Sequence, residues 1–152
     1  MTDETIKGSF HADYERLDSL LKTFQTIRES DTVQAQRFFL EFKTGLENHM
    51  RWEEDILFPL FEEKTGLRGW GPTEKMRAEH DEIRQMLIVF EEMMTNHHVC
   101  TDIQQDDLLM LLSTHSIKEE NALYPLLDKL LTPEERRTVL HQTMHSDTRS
   151  VS

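Results

Sequence analysis

The 152-residue sequence predicts an all-α protein: an up-down-up-down antiparallel four-helix bundle followed by a short C-terminal fifth helix. Three observations carry this. Apolar residues recur at helical spacing in four long segments. Glycine and proline number only five and four, with wide gaps between them. Nothing alternates with period two for long enough to make a sheet. Long helices joined by short turns close as an antiparallel bundle, and the core between facing helices is where such folds build their metal and cofactor sites.

Residues 1–8 read as a flexible arm. The first helix starts near Ser9 or Phe10 and carries Phe10, Tyr14, Leu17, Leu21 and Phe24 on one stripe. Glu29-Ser30-Asp31 turns the chain, and Asp31 followed by Gln34 is a capping pattern that opens the second helix. That helix runs through Phe38, Phe42, Leu46, His49, Glu53 and Leu60, with a kink expected at Pro59. Gly66, Gly69, Gly71 and Pro72 mark the main break. The third helix follows with Met76, His80, Ile83, Leu87, Phe90 and Met94, and ends around Asn96-His97-His98. Asp102 with Gln105 repeats the capping pattern for a fourth helix bearing Leu108, Leu112, His115, Glu119, Leu123 and Leu126. Thr132, Pro133 and Glu135 then supply an N-cap, a proline at the first position and a glutamate at the third. The expected division is an arm at 1–8, the bundle at 9–131, and a short helix with a polar tail at 132–152.

One motif is written twice. Residues 49–60 and 115–126 both read His-x-x-x-Glu-Glu-x-x-Leu-aromatic-Pro-Leu. Positions i and i+4 share a helix face, so each copy aims an imidazole and a carboxylate the same way. His11 and His80 add one further histidine to each half, and the offsets are similar: 115 − 49 = 66 and 80 − 11 = 69. The pattern reads as a duplicated helix pair.

A bundle site needs its ligands at one height. His11 lies about 27 Å below the end of its helix, and the 49 − 31 = 18 residues from Asp31 to His49 descend about 27 Å again. His80 climbs about 22 Å and His115 descends about 20 Å, so all four histidines return to one level. His49, Glu53, His115 and Glu119 also interrupt otherwise apolar stripes and so face the core. A buried carboxylate without a partner is costly, and a metal ion supplies the partner.

The candidate ligands are therefore His11, His49, Glu53, His80, His115 and Glu119. Four imidazoles and two carboxylates suit two first-row ions, each taking two histidines with both glutamates bridging. A solvent-derived bridge would still leave each ion an open position for dioxygen, nitric oxide or peroxide. Nitrogen and oxygen donors without thiolate favour iron, and manganese or zinc suits the same donors. Glu15, one turn after His11, is either a seventh ligand or an acceptor behind it. Arg84, the matching residue after His80, is no ligand. Tyr14, Trp52 and Lys118 lie near the site, and Glu54 and Glu120 fall on the surface beside the ligand face.

A formal net charge of −12 argues against nucleic-acid and anionic-membrane partners. The single cysteine, Cys100, excludes an internal disulfide and points to a cytoplasmic compartment. The opening residues lack a basic and then apolar signal segment, and no stretch reaches the roughly 18 apolar residues of a membrane span. The absence of Glu-x-x-His argues against ferritin-like sites.

His11, His49-x-x-x-Glu53, His80 and His115-x-x-x-Glu119, with the aromatic-Pro steps, resemble the hemerythrin-like (HHE cation-binding) domains across roughly residues 8 to 131. The resemblance implies a four-helix bundle around a non-haem di-iron centre. Oxygen-carrying members use a fifth histidine one turn after the third-helix histidine, where this chain has Arg84. The four-His, two-Glu set is more similar to bacterial members linked to nitrosative stress and iron-centre repair, and to iron and oxygen sensors. The repair proteins carry an additional Cys-containing N-terminal segment, where the expectation here is the short arm at 1–8. Three functions follow as expectations: a module binding or sensing dioxygen, nitric oxide or iron; an enzyme turning over peroxide or nitric oxide, with Tyr14 as a candidate proton donor; and a metal-stabilised interaction domain. Oligomeric state has no signature in the sequence.

Overall fold

Thr5 accepts a hydrogen bond from the Gly8 amide and opens α1 (Ile6–Ile27). The helix begins ahead of Ser9 because Ile6 is buried, and the Ile6 and Lys7 amides donate to Asp128 at 2.8 and 3.2 Å. Those amides have no partner within the helix, so a carboxylate from a distant helix completes the cap. The structure is a computed structural model that describes residues 4–96 and 102–145, with side chains described for 4–96 and 104–144. Every element among the described residues is helical. His97, His98 and Cys100 lie outside the described residues, as does the Asp102 side chain expected to cap α5.

Asp31 accepts from the Gln34 amide at 3.1 Å and starts α2 (Thr32–Trp52). Elements α3 (Phe58–Thr65), α4 (Pro72–Thr95), α5 (Asp102–Lys118), α6 (Tyr124–Leu130) and α7 (Pro133–Leu140) follow. Gly66, at φ 77°, closes α3 in the left-handed region and donates its amide to the Glu62 carbonyl. Thr132 and Glu135 form the expected reciprocal capping box at α7, which passes into a widened turn at His141–His145.

Both copies of the motif contain a π-helical turn, Glu53–Leu57 between α2 and α3 and Glu119–Leu123 between α5 and α6. The Phe58 and Tyr124 amides donate to the Glu53 and Glu119 carbonyls, five residues back. Pro59 and Pro125 are the physical cause. Proline has no N–H to donate, and its ring collides with the carbonyl four residues back in a regular helix. A widened turn relieves that collision, so the kink expected at Pro59 is absorbed into it. The extra residue rotates everything after it by about 100°. The stripe expected to run through Leu60 and Leu126 therefore passes to Phe61 and Leu127, which are buried, while Leu126 is exposed. On α2 the core residue is Phe39, with Phe38 packing at its margin.

Two apolar cores result. One joins Leu17, Leu21, Phe24, Phe39, Phe42 and Leu46 to Ile83, Leu87, Phe90, Leu108 and Leu112. The other joins Ile6, Phe10, Leu57, Phe58 and Phe61 to Met76, Leu123, Tyr124 and Leu127, and the Val139 and Leu140 of α7. Between these sets, along α2, α4, α5 and the two π turns, lie the buried polar side chains of His49, Glu53, His80, His115 and Glu119. The cores repeat at one offset: Phe10, Leu17, Leu21 and Phe24 match Met76, Ile83, Leu87 and Phe90, with 76 − 10 = 66. Gly45 is the local exception. A Cβ there would stand 2.5 Å from Leu17 Cδ2, so glycine lets α1 and α2 approach closely, whereas position 111 in the second pair is leucine. No helix among the described residues is long and apolar enough to cross a membrane.

Candidate metal centre

Glu53, His80, His115 and Glu119 each bring one ligand atom into a buried cluster in which all four atoms lie within 4.8 Å of one another. The π turns place both glutamates at the point where their helices widen. His80 Nε2 is 3.0 Å from His115 Nε2 and 3.2 Å from Glu53 Oε1; His115 Nε2 is 3.3 Å from Glu119 Oε2. Ligands about 2.0–2.2 Å from a common ion stand roughly 3.0–3.5 Å apart, so these separations are those of a coordination polyhedron. Glu53 Oε1 and Glu119 Oε2 are buried and make no hydrogen bond. Buried carboxylate oxygens without donors are expensive, and a cation satisfies both. The residues fit a metal ion.

A carboxylate lies against the Nδ1 of every candidate histidine. His49 pairs with Asp13 at 2.8 Å, His80 with Glu54 at 2.8 Å, His115 with Glu79 at 2.7 Å, and His11 with Glu120. An ionised carboxylate only accepts, so in His49, His80 and His115 Nδ1 donates the proton and Nε2 keeps the lone pair a metal needs. Arg84 holds Glu54 through two bonds of 2.9 and 2.7 Å, and Lys118 holds Glu79 at 2.5 Å. Burial opposes charge on Glu54 and Glu79, yet these cations and the imidazoles hold both below the ordinary glutamate value. Burial likewise opposes charge on Glu53, but His80, His49 and His115 around it lower its pKa. Burial draws His115 down, against the pull of Glu53, toward the neutral form that ligates. His49 is raised instead, because the Asp13 bond and the charges of Glu53 and Asp13 outweigh its burial.

Of the six residues singled out in the sequence, four meet in this cluster and two stand differently. His49 is buried beside it, with Nε2 at 4.0 Å from Glu53 Oε1 and 3.4 Å from the Tyr124 hydroxyl. The His11 side chain is 45% exposed, and its Nε2 lies 2.8 Å from Glu15. Glu15 thus lies against Nε2 of His11, and Glu120 against Nδ1. Glu54 and Glu120 are not surface residues beside the ligand face, as the sequence suggests, but the partners of His80 and His11 from the opposite half. Their signal was the second glutamate of the repeated Glu-Glu. Asp13 and Glu79 carried another: each lies 36 residues before its histidine. Tyr14 is half-buried, and burial pushes its phenol up to about 12. The tyrosine at the cluster is Tyr124, whose hydroxyl donates to Glu53 Oε2 at 2.7 Å and reaches Glu119 Oε1 at 3.1 Å. Burial, reinforced by Glu53, raises its pKa well above the ordinary value. Trp52 packs its ring near those of Phe10 and His49.

The lone histidines do not share the repeat's register. Asp13 and Glu79 are 79 − 13 = 66 apart, as are His49 and His115, whereas His11 and His80 are 69 apart. At 66, the residue equivalent to His80 is Tyr14, and His11 matches Arg77. Three residues are about 4.5 Å of helix rise, which separates His11 from the level His80 occupies in its own half.

Residues 9–127 match the Hemerythrin HHE cation binding domain. An uncharacterized hemerythrin-like protein of Schizosaccharomyces pombe is 31% identical over 130 residues, which is 86% of this chain and 63% of that protein. The iron-sulfur cluster repair protein YtfE of Escherichia coli is 33% identical over 89 residues, 53% of this chain and 40% of that protein. YtfE of Shigella boydii is similar to the same extent. The chain thus spans less than two thirds of the length of these relatives. No solved structure matches. With its duplicated His-x-x-x-Glu and its buried His/Glu cluster, the chain belongs to the hemerythrin HHE cation-binding domain family.

Proposed function

We propose that this chain is a non-haem iron protein that binds or senses dioxygen or nitric oxide. In this reading residues 9–131 form an up-down-up-down antiparallel four-helix bundle, with 1–8 as an arm and 132–152 as an appended helix and tail. His11, His49, Glu53, His80, His115 and Glu119 are the ligand set for two iron ions with a solvent-derived bridge. The single observation that carries the reading is the buried cluster of Glu53, His80, His115 and Glu119, whose two carboxylate oxygens make no hydrogen bond. Similarity to an iron-sulfur cluster repair protein supports iron as the metal. The single cysteine supports a reducing, cytoplasmic compartment.

The chain's residues have distinct tasks in this reading. His80 and His115 offer Nε2 lone pairs, and Glu53 and Glu119 offer one oxygen each toward them while their other oxygens reach Tyr124. Asp13, Glu54 and Glu79 fix the rings and their tautomers from behind. Phe10 packs edge-on to His49 and Phe58 stacks on His80 at 5.5 Å, keeping water off both imidazoles. Bound iron would supply one-electron chemistry and an affinity for diatomic ligands. The test is metal analysis of protein produced with iron present, together with absorption spectra of the anaerobically reduced protein before and after dioxygen or nitric oxide. Stoichiometric iron with a spectral change on adding gas is the expected result. Iron without any change under either gas removes the binding and sensing role.

A further inference from the structure

The polar groups of the two halves converge on two different things. On one side, Glu53 Oε1 and Glu119 Oε2 stand with the Nε2 atoms of His80 and His115. On the other side, Glu53 Oε2, Glu119 Oε1 and His49 Nε2 gather around one atom, the Tyr124 hydroxyl oxygen, at 2.7, 3.1 and 3.4 Å. Each carboxylate therefore gives one oxygen to the histidine pair and one to the phenol.

The repeat register shows why the sides differ. The counterpart of Tyr124 is Phe58, with 124 − 58 = 66, and a phenylalanine ring stacked on His80 brings no oxygen to compete for the ligands. The counterpart of His80 is Tyr14, so the His49 side lacks an imidazole at the matching place. His11, the nearest substitute, has its Nε2 on Glu15.

We infer that the two cation positions of this protein are unequal: Glu53, His80, His115 and Glu119 hold one divalent ion tightly, and the Tyr124 hydroxyl occupies the place of the second between His49, Glu53 and Glu119. The inference rests on the metal-centre reading above. The phenol oxygen fills the space between those three groups, and they could close to about 2.0–2.2 Å around an ion only with the hydroxyl displaced. Tyr124 is 2% exposed and packed against Phe10 at 5.3 Å, so its ring has no free space to swing into. A second ion must break a hydrogen bond to a carboxylate before it gains its own contacts, which lowers its affinity about tenfold or more.

Calorimetric titration of the full chain with Zn²⁺, backed by metal counting after gel filtration, tests this without any activity assay. The wild type is expected to take one tight ion and a second about tenfold or more weaker. Tyr124→Phe should strengthen the second ion by about tenfold and leave the first within a few-fold. Tyr14→His combined with Tyr124→Phe should bring the two affinities closest together. Glu15→Gln, at an exposed residue, should loosen the hold on His11 Nε2 and strengthen the second ion by a smaller factor. Two equally tight ions in the wild type overturn the inference. So does a second ion that Tyr124→Phe leaves unchanged or weakens, since the phenol would then be a bystander or a ligand. A wild type that binds no zinc at all removes the metal-centre reading along with the inference, which distinguishes the two failures.

Discussion

The helix pair in residues 6–65 and the pair in residues 72–130 bury matching side chains 66 residues apart, and they part company at the site. Phe39, Phe42, Leu46, Leu57 and Phe61 on α2, its π turn and α3 match the buried Gln105, Leu108, Leu112, Leu123 and Leu127 of the second pair. His49, Glu53 and their π turn recur as His115, Glu119 and its π turn. Against that agreement, the third-helix His80 answers to Tyr14, Phe58 to Tyr124, Arg77 to His11, and Arg84 to Asp18. The apolar register has been kept because one shifted core residue leaves a void or a clash on both sides of the pair. The polar equipment differs where each half takes a partner from the other, Glu54 reaching His80 and Glu120 reaching His11, while Asp13 with His49 and Glu79 with His115 stay within one half. A pseudo-symmetric scaffold thus carries an asymmetric site.

The largest expected effect separates the two lone histidines. Metal-saturated wild type should lose about 3–4 kcal/mol of unfolding free energy when a chelator removes an ion present at a hundred to a thousand times its Kd. His80→Ala should abolish this chelator-sensitive part, while His11→Ala should retain most of it. Urea unfolding with and without chelator measures both, and equal losses from the two variants would break the asymmetry.

Gly45→Ala probes the close approach peculiar to the first pair. The new methyl meets Leu17 Cδ2 within a buried core, which costs about 1–3 kcal/mol, offset by up to about 1 kcal/mol of helix propensity. A net loss in urea unfolding is the expected outcome. A gain would show that α1 and α2 separate as easily as if Gly45 were not at their contact.

Arg84→Gln tests the support behind His80. The guanidinium holds Glu54 by two bonds, and Glu54 in turn holds Nδ1 of His80. Loss of such a partner should weaken the tight ion about tenfold, with partial recovery in Arg84→Lys. Titration with Zn²⁺ reads this directly, and an unchanged first affinity would reduce Arg84 to a surface ion pair.

The smallest effect lies in α7, which follows only the second pair. Glu135 is held below the ordinary value of 4.5, first by the Thr132 amide and then by Lys64. A lowered folded value means its contribution is present above 4.5 and is lost as pH falls through that lowered value. Glu135→Gln should therefore lower the melting temperature slightly near neutrality, where the ionised carboxylate contributes, and converge with the wild type as pH falls through the lowered value.

The helix limits at Asp31 and Thr132, the break around Gly66, the doubled His-x-x-x-Glu and the candidacy of Glu53, His80, His115 and Glu119 were all legible in the sequence. Capping and i,i+4 spacing act within one helix, where distance along the chain sets distance in space. What lay beyond it depended on how helices meet. The π turns at Pro59 and Pro125 moved the buried face from Leu60 and Leu126 to Phe61 and Leu127. The pairing of Asp13 with His49 and Glu79 with His115, the reach of Tyr124 to Glu53, and the diversion of His11 to Glu15 and Glu120 followed from packing. A contact between helices depends on their relative rotation and rise, and one residue of either, about 100° and 1.5 Å, decides which oxygen meets which nitrogen. The sequence by itself determined that candidate metal ligands would face a helical core; only the tertiary structure decided that they meet as a histidine pocket on one side and a tyrosine on the other.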